Sequence, residues 1–175
     1  MEAGVAVEVL HEGEDLRIVR VEAADGARSL WRIPAAQVVD ARSRRRLRRE
    51  AALLREVAGP GIAELRAVSD DDDEPALIFA DPGGELLLSR MRRGELDVDA
   101  CVELGIRLAS ALGRLHLQRR VVGGLRPSTI LYGADGEVAL LDLQRAQLTG
   151  GAAAHEAADE DAGEPGDLPW ELLLY

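Results

Sequence analysis

The chain has 175 residues, of which 47 % are hydrophobic and 30 % are charged, and this composition predicts one globular domain with a core of its own. Its formal net charge of −11 argues against nucleic acid as a partner, because phosphate backbones are bound by basic surfaces. All 21 basic residues are Arg, so no mechanism in this chain can use a lysine.

The cysteine content and the longest apolar runs indicate in which cellular compartment the protein works. The single cysteine, Cys101, rules out an intramolecular disulfide, and its place in an apolar helical pattern predicts a thiol packed in the core. No run approaches the ~18 consecutive apolar residues of a membrane span. The first residues lack the basic start and the apolar stretch of a signal peptide. We therefore expect a cytoplasmic protein without a membrane partner.

The first third of the chain predicts three strands followed by a helix. Alternating apolar residues and turn-forming residues predict short antiparallel strands at 5–10, 16–23 and 28–34. The period then changes, and leucines at helical spacing beside an Arg-rich face predict a helix over 40–57. The Arg-rich run is interpreted as a solvated helix face rather than as an anion-binding patch.

The rest of the chain predicts further strands and two helices. In chain order these are a strand at 62–69, a strand at 76–81, a loop and short helix over 82–94, and a long amphipathic helix over 97–120 capped by Asp97 or Asp99. Residues 121–144 predict short strands separated by turns. Residues 149–167, rich in Gly, Ala and acids, have too few large apolar groups to pack, and we expect them to be flexible. The order of elements is typical of an α+β fold rather than of alternating βαβ units.

Five stretches resemble the protein kinase family, in the order in which that family carries them. LRPSTIL (125–131) resembles the end of the catalytic loop, and EVALLDLQRA (137–146) resembles the strand that leads into the magnesium-binding loop. RLRREAALLREVAGPGI (46–62) resembles the regulatory helix, and GRLHLQRRVV (113–122) resembles the end of the long helix before the catalytic loop. ALIFADPGGELL (76–87) resembles the hinge of a bacterial subgroup in which the kinase-like domain begins a large signalling protein with ATPase and sensor modules.

The resemblance implies a protein kinase-like fold in three parts. Residues 1–80 would form a five-stranded antiparallel N-terminal lobe with one helix. Residues 81–148 would begin a helical C-terminal lobe with a degenerate catalytic loop, and residues 149–175 would be a flexible tail like an activation segment. Since LPWELLLY at the end resembles the stretch before a motif that the chain lacks, we expect a fragment of a longer protein rather than a domain that ends early.

The resemblance also assigns site residues, several of which are altered. The catalytic Asp falls at Gly124, which has no side chain to accept a proton. The metal-binding Asn, five positions later, falls at Thr129, and the magnesium-loop Asp falls at Asp142. Asp142 is the one metal ligand that the resemblance retains, although a lone Asp after an apolar strand is also a common turn residue.

The N-terminal lobe supplies the other positions implied for nucleotide binding. The Gly-rich loop keeps only Gly13 and places Glu12, Glu14 and Asp15 where they would repel a triphosphate. The third-strand Lys becomes Arg32, for which we predict an ion pair with Glu50 of the regulatory helix that stabilises the lobe. The small residue over adenine becomes Leu30, which is large enough to fill the adenine pocket.

These substitutions favour a pseudokinase that acts as a regulatory or binding module in bacterial signal transduction. Its partner would be another domain of a larger signalling protein or another kinase. The alternative is a weakly active ATP-dependent Ser/Thr kinase, whose cofactors ATP and Mg²⁺ would be bound by Arg32, Glu50 and Asp142. A small-molecule phosphotransferase of the same fold also needs the catalytic Asp, so Gly124 disfavours it.

Overall fold

The computed structural model describes residues 6–35, 40–69, 71, 74–133 and 135–148, which form a mixed α+β structure. Its largest unit is an antiparallel sheet of five strands in the order β1-β2-β3-β5-β4. The strands are β1 (Ala6–Glu12), β2 (Leu16–Glu22), β3 (Arg28–Pro34), β4 (Leu65–Ser69) and β5 (Ala76–Ala80). The sheet confirms the predicted five antiparallel strands, and the expected flexible tail at 149–175 lies outside the described residues.

Helix α1 (Ala41–Glu56) follows β3 and confirms the helix predicted over 40–57. Asp40 and Ser43 form a capping box, in which the Asp40 carboxylate accepts from the Ser43 backbone N–H at 2.6 Å and the Ser43 hydroxyl accepts from the Asp40 backbone N–H at 2.9 Å. The buried side of the helix consists of Leu47, Glu50, Ala51, Leu53 and Leu54. Because Glu50 is the one charged residue of that side, it must be paired inside the fold.

The part of the chain after β5, which we call the C-terminal part, contains two α-helices and five short strands within its described residues. The elements are β6 (Glu85–Leu86), α2 (Leu87–Arg93), α3 (Val98–Leu117), β7 (Arg120–Val122), β8 (Ile130–Tyr132), β9 (Val138–Leu140) and β10 (Ala146–Leu148). Strands β6, β8 and β9 form one sheet, and β7 pairs with β10. The predicted long helix begins as expected after its cap, Asp97, but ends at Leu117 because Arg119 has a positive φ of 58° and Arg120 pairs in β7.

The segment after α1 joins the two parts through the backbone. Ala63 N–H donates to the carbonyl of Leu140 at 3.0 Å, and Leu140 N–H donates to the carbonyl of Gly61 at 2.9 Å. Gly61 has a φ of 86°, and a Cβ there would lie 2.4 Å from the Cβ of Ala111, so only glycine allows this approach to α3. These bonds explain why the strand predicted from residue 62 starts only at Leu65.

One apolar core runs through both parts of the chain. Ile18 and Leu30 of the five-stranded sheet belong to the same buried cluster as Leu131 and Leu141 of the C-terminal part. The prediction for Cys101 is wrong, since its side chain lies on the exposed side of α3. That side also exposes Val98, Val102 and Ile106, and an apolar pattern alone cannot distinguish it from the buried side. Among the described residues, no helix is long and apolar enough to cross a membrane.

Candidate functional site

A buried ion pair joins β3 to helix α1. Nη2 of Arg32 donates to Oε2 of Glu50, and the two residues are only 6 % and 3 % exposed. The other carboxylate oxygen of Glu50 accepts from the backbone N–H of Leu143 at 2.7 Å. The predicted Arg32–Glu50 pair is therefore present, and its carboxylate also holds the segment that follows β9.

Asp142, two residues after the end of β9, is bound by two arginines. Its Oδ1 accepts from Nη1 of Arg32 at 2.9 Å and from the backbone N–H of Gln144 at 3.0 Å. Its Oδ2 accepts from Nη2 of Arg126 at 2.9 Å, and the side chain is 11 % exposed. The bond to Gln144 bears out the turn-residue interpretation of Asp142, while its pairing with arginine was not foreseen.

Arg126 extends the network to the first hairpin. It precedes the 3₁₀ turn Pro127–Thr129, and its Nη1 donates to the carboxylate of Asp15 in the loop between β1 and β2. Arginines and carboxylates thus alternate along one connected series, which we call the ion-pair chain: Glu50, Arg32, Asp142, Arg126 and Asp15. This series crosses from the five-stranded sheet and α1 to the C-terminal part.

The surroundings of Asp142 keep its carboxyl group ionised. Burial acts to raise the pKa of Asp142, but the Arg32 guanidinium, the Gln144 N–H and Arg126 together outweigh it and hold the pKa below its ordinary value. Both neighbouring arginines have a raised pKa despite burial, because each lies against carboxylates. The centre of the chain is therefore a carboxylate between two guanidinium ions.

The pKa of Glu50 is shifted in the opposite direction, above its ordinary value. Burial raises its pKa, and the Asp142 carboxylate adds to the effect, while Arg32 and the Leu143 N–H oppose it. Two carboxylates share the one guanidinium of Arg32, so they repel each other across it. The arrangement therefore depends on Arg126 as a second positive charge beside Asp142.

Gly124 lies beside this network in a conformation that favours glycine. Its φ is 75°, and a Cβ there would lie 3.3 Å from Cδ of Arg145. The neighbouring Gly123 N–H donates to the carbonyl of Arg145 at 3.4 Å. The backbone at position 124 is thus held in the left-handed region beside an arginine stem, where any side chain would be strained.

The other two predicted site residues lie apart from the cleft at this network. Thr129 is 3 % exposed, and its hydroxyl donates to the backbone carbonyl of Arg126 at 3.1 Å. Gly13 donates its N–H to the carbonyl of Leu16 within the first hairpin, and a Cβ there would lie 2.8 Å from Nε2 of His11. Both residues form hydrogen bonds to nearby backbone carbonyls, and neither lines the cleft.

The cleft itself has a volume of about 560 Å³ and a polar wall. Of the predicted site residues, Arg32, Glu50, Gly124 and Asp142 line it. The remaining charged residues on its wall are Asp15, Asp40, Arg42, Arg46, Arg126 and Arg145. The sequence places Asp15 only as a charge near Gly13 and assigns no role to Arg126, whose one signal is that it is the basic residue of the LRPSTIL stretch.

A second buried ion pair fixes the connection between the two parts. Asp81 follows β5, and its side chain is fully buried against Nε of Arg20 from β2 at 2.6 Å. Arg20 also donates to the carbonyl of Gly84 at 2.7 Å, and Asp81 accepts from the Gly83 N–H at 2.9 Å. This connection is therefore held by specific bonds, none of which a sequence pattern predicted.

In the described ranges, no group of three or more His, Cys, Asp or Glu side chains could hold a metal ion. The sequence matches no model of a known protein family and no curated protein. The interpretation of the site therefore rests on this chain's own residues.

Proposed function

We propose that this chain is a protein kinase-like domain without phosphoryl-transfer activity, which serves as a binding or regulatory module in bacterial signal transduction. It would work in the cytoplasm, with a further domain of a larger signalling protein or another kinase as its partner. The five-stranded sheet with one helix, followed by helices and short strands, is compatible with this interpretation.

The observation that carries the proposal is the engagement of both Asp142 oxygens by arginine. In a kinase, the Asp of the magnesium loop holds the metal ions that neutralise the phosphates. Here Arg32 and Arg126 already neutralise the Asp142 carboxylate, and Thr129 turns its hydroxyl to a backbone carbonyl. A metal ion would have to displace a paired guanidinium, so these residues do not fit an ATP–Mg²⁺ complex.

The position implied for the base supports the same proposal. A kinase needs an Asp there to accept the proton of the substrate hydroxyl. Gly124 has no side chain to accept a proton, and an L residue introduced there would be strained at its left-handed φ of 75°. Position 124 therefore has no group that could deprotonate a substrate hydroxyl.

The apolar interior supports a filled adenine position. The resemblance implies that Leu30 takes the place of the small residue over adenine. Its side chain is fully buried and belongs to one core cluster with Ile18, Leu131 and Leu141. A purine could reach this position only by separating Leu30 from that cluster, and apolar contacts stabilise the packed arrangement at roughly 25 cal/mol per Å² of apolar area buried.

One observation favours the enzyme alternative. The Arg32–Glu50 pair joins a strand to a helix, as does the cation–Glu pair that active kinases require. A weakly active kinase would then have to release Asp142 from both arginines before it could bind Mg²⁺. That release leaves two buried or half-buried guanidinium ions without their shared carboxylate, which is the costly step of this alternative.

A transfer assay tests the proposal against its alternative. The chain is incubated with Mg²⁺ and ATP labelled in the γ-phosphate, beside Asp142→Asn and Gly124→Asp. We expect neither phosphate transfer nor ATP hydrolysis above the level of heat-denatured protein in any of the three samples. Hydrolysis or transfer by the wild type that disappears in Asp142→Asn would establish the enzyme instead.

A further inference from the structure

A basic groove lies on the side of helix α1 that faces β10. Four arginines of the helix line it, at positions 42, 45, 46 and 49, whose spacing places them on one helix face. Leu143, Gln144 and Ala146 lie opposite, and the volume is about 640 Å³. We call this surface, together with Arg120, the basic groove.

The arginines of the basic groove outnumber the carboxylates on its wall. Its two acidic residues are already engaged, since Glu50 binds Arg32 and Glu56 binds Arg120 at 3.0 Å. Arg45 and Arg49 are exposed and form no ion pair with any described residue. In a chain of net charge −11, such a concentration of guanidinium ions attracts carboxylates from elsewhere.

The chain carries a suitable acidic segment a short distance along the sequence from the groove. Ala146 in the wall of the groove belongs to β10, and β10 leads directly into residues 149–175. Within that stretch, four carboxylates follow one another closely at Glu156, Asp159, Glu160 and Asp161. Glu156 lies eight positions after Leu148 (156 − 148 = 8), and eight positions span up to ~26 Å, comparable with the ~24 Å length of the 16-residue helix.

We propose that the acidic segment 156–161 docks in the basic groove of the same molecule and pairs with Arg45 and Arg49. The short tether holds the carboxylates near the groove at an effective concentration in the millimolar range, so that individually weak pairs add up. The contact is electrostatic and exposed, so salt must weaken it. Neither Arg45 nor Arg49 lines the cleft, so this docking does not depend on whether the cleft binds a nucleotide.

The lysine-free sequence makes a direct test available. Arg45→Lys or Arg49→Lys introduces the sole side-chain amine, which a carbodiimide joins to whichever carboxylate lies against it. We expect mass spectrometry of the full chain to find the introduced lysine linked to residues 156–161, with a several-fold lower yield in 1 M NaCl. Arg55→Lys, on the same helix but outside the groove, is the matched control and should give little of this product.

Two further experiments distinguish the acidic segment of the same molecule from other occupants of the basic groove. Neutralising Glu156, Asp159, Glu160 and Asp161 to their amides should remove the linked product, whereas neutralising the four aspartates at 70–73 should leave it unchanged. A mixture of isotope-labelled and unlabelled protein shows whether the link is within one molecule. Links only to other carboxylates, links equally strong from position 55, or links only between two molecules would each overturn the proposal.

Discussion

Asp142 shows how a single residue can serve a different purpose from the one that its position suggests. Its place after β9 indicates a turn or a metal ligand, and the bond from Gln144 N–H confirms the turn. Its second property, a carboxylate shared by Arg32 and Arg126, depends on residues 110 and 16 positions away. Buried ion pairs often add little net stability, but removal of one partner is costly because the other charge stays buried.

Removal of the Asp142 charge should therefore destabilise the fold. We expect Asp142→Asn to lower the free energy of unfolding by about 3 kcal/mol at pH 7, since Arg32 and Arg126 lose their shared carboxylate. Urea denaturation measures the change. Glu64→Gln, which removes an exposed pair with Arg66, is the control and should cost less than about 1 kcal/mol. Equal effects of the two substitutions would contradict the role of Asp142 as the centre of the ion-pair chain.

Because the pKa of Asp142 is lowered, the difference in unfolding free energy between the wild type and Asp142→Asn should depend on pH. A carboxyl group whose pKa is lower in the folded state stabilises that state above its unfolded pKa of about 3.9, and the stabilisation is lost as the pH falls through the folded pKa. The gap in unfolding free energy between wild type and Asp142→Asn should therefore be constant above about pH 5 and shrink below about pH 4. Urea titrations at several pH values measure it, and a gap that widens on acidification would contradict the assignment.

A second prediction about a single residue concerns the backbone conformation of Gly124. We expect Gly124→Ala to lower the unfolding free energy by about 1–2 kcal/mol, because an L side chain is unfavourable at a φ of 75°. Gly105→Ala is the control with the opposite sign: Gly105 lies within α3 with open space around it, so alanine should stabilise by about 0.5–1 kcal/mol. Denaturant midpoints measure both, and a neutral Gly124→Ala would show that this conformation is not required.

At the scale of elements, helices were predicted closely and the connections between elements were not. The helix over 40–57 was found because its leucine spacing and its cap agree, and a strong local pattern seldom misleads. The start of β4 was misplaced because Ala63 bonds to β9 and not to the sheet, which no local pattern encodes. Cys101 was misplaced because α3 has apolar residues on both its buried and its exposed sides.

The connection after β5 provides a prediction about an element. Asp81→Ala removes both the ion pair with Arg20 and the acceptor of the Gly83 N–H, whereas Asp81→Asn keeps an oxygen for Gly83 and loses the charge and the acceptor for Nε of Arg20. We therefore expect hydrogen exchange at the Gly83 amide to rise strongly in the alanine variant and less in the asparagine variant. Mass spectrometry or NMR measures the exchange rates. Unchanged exchange in both variants would mean that Asp81 does not hold the connection.

At the scale of the whole molecule, five strands, one helix and a long helix could be anticipated, and the full ion-pair chain at the cleft could not. Each strand and helix follows from residues close together in the sequence, such as the alternation in β2 and β3. The Arg32–Glu50 pair was predicted because a resemblance brought the two positions together. Arg126 and Asp15 were not paired, since a sequence does not state which of its many charges meet after folding.

The central claim is that the ion-pair chain and the apolar interior occupy the places that a nucleotide and its metal would need. A thermal-shift titration of the chain with ATP, with and without Mg²⁺, tests this claim most directly, because a ligand that binds only the folded state raises the melting temperature. We predict a shift below about 1 °C at millimolar ATP in both conditions. A Mg²⁺-dependent rise of roughly 5 °C or more, absent in Asp142→Asn, would contradict the account and show that Asp142 leaves its arginines to hold a metal–nucleotide complex.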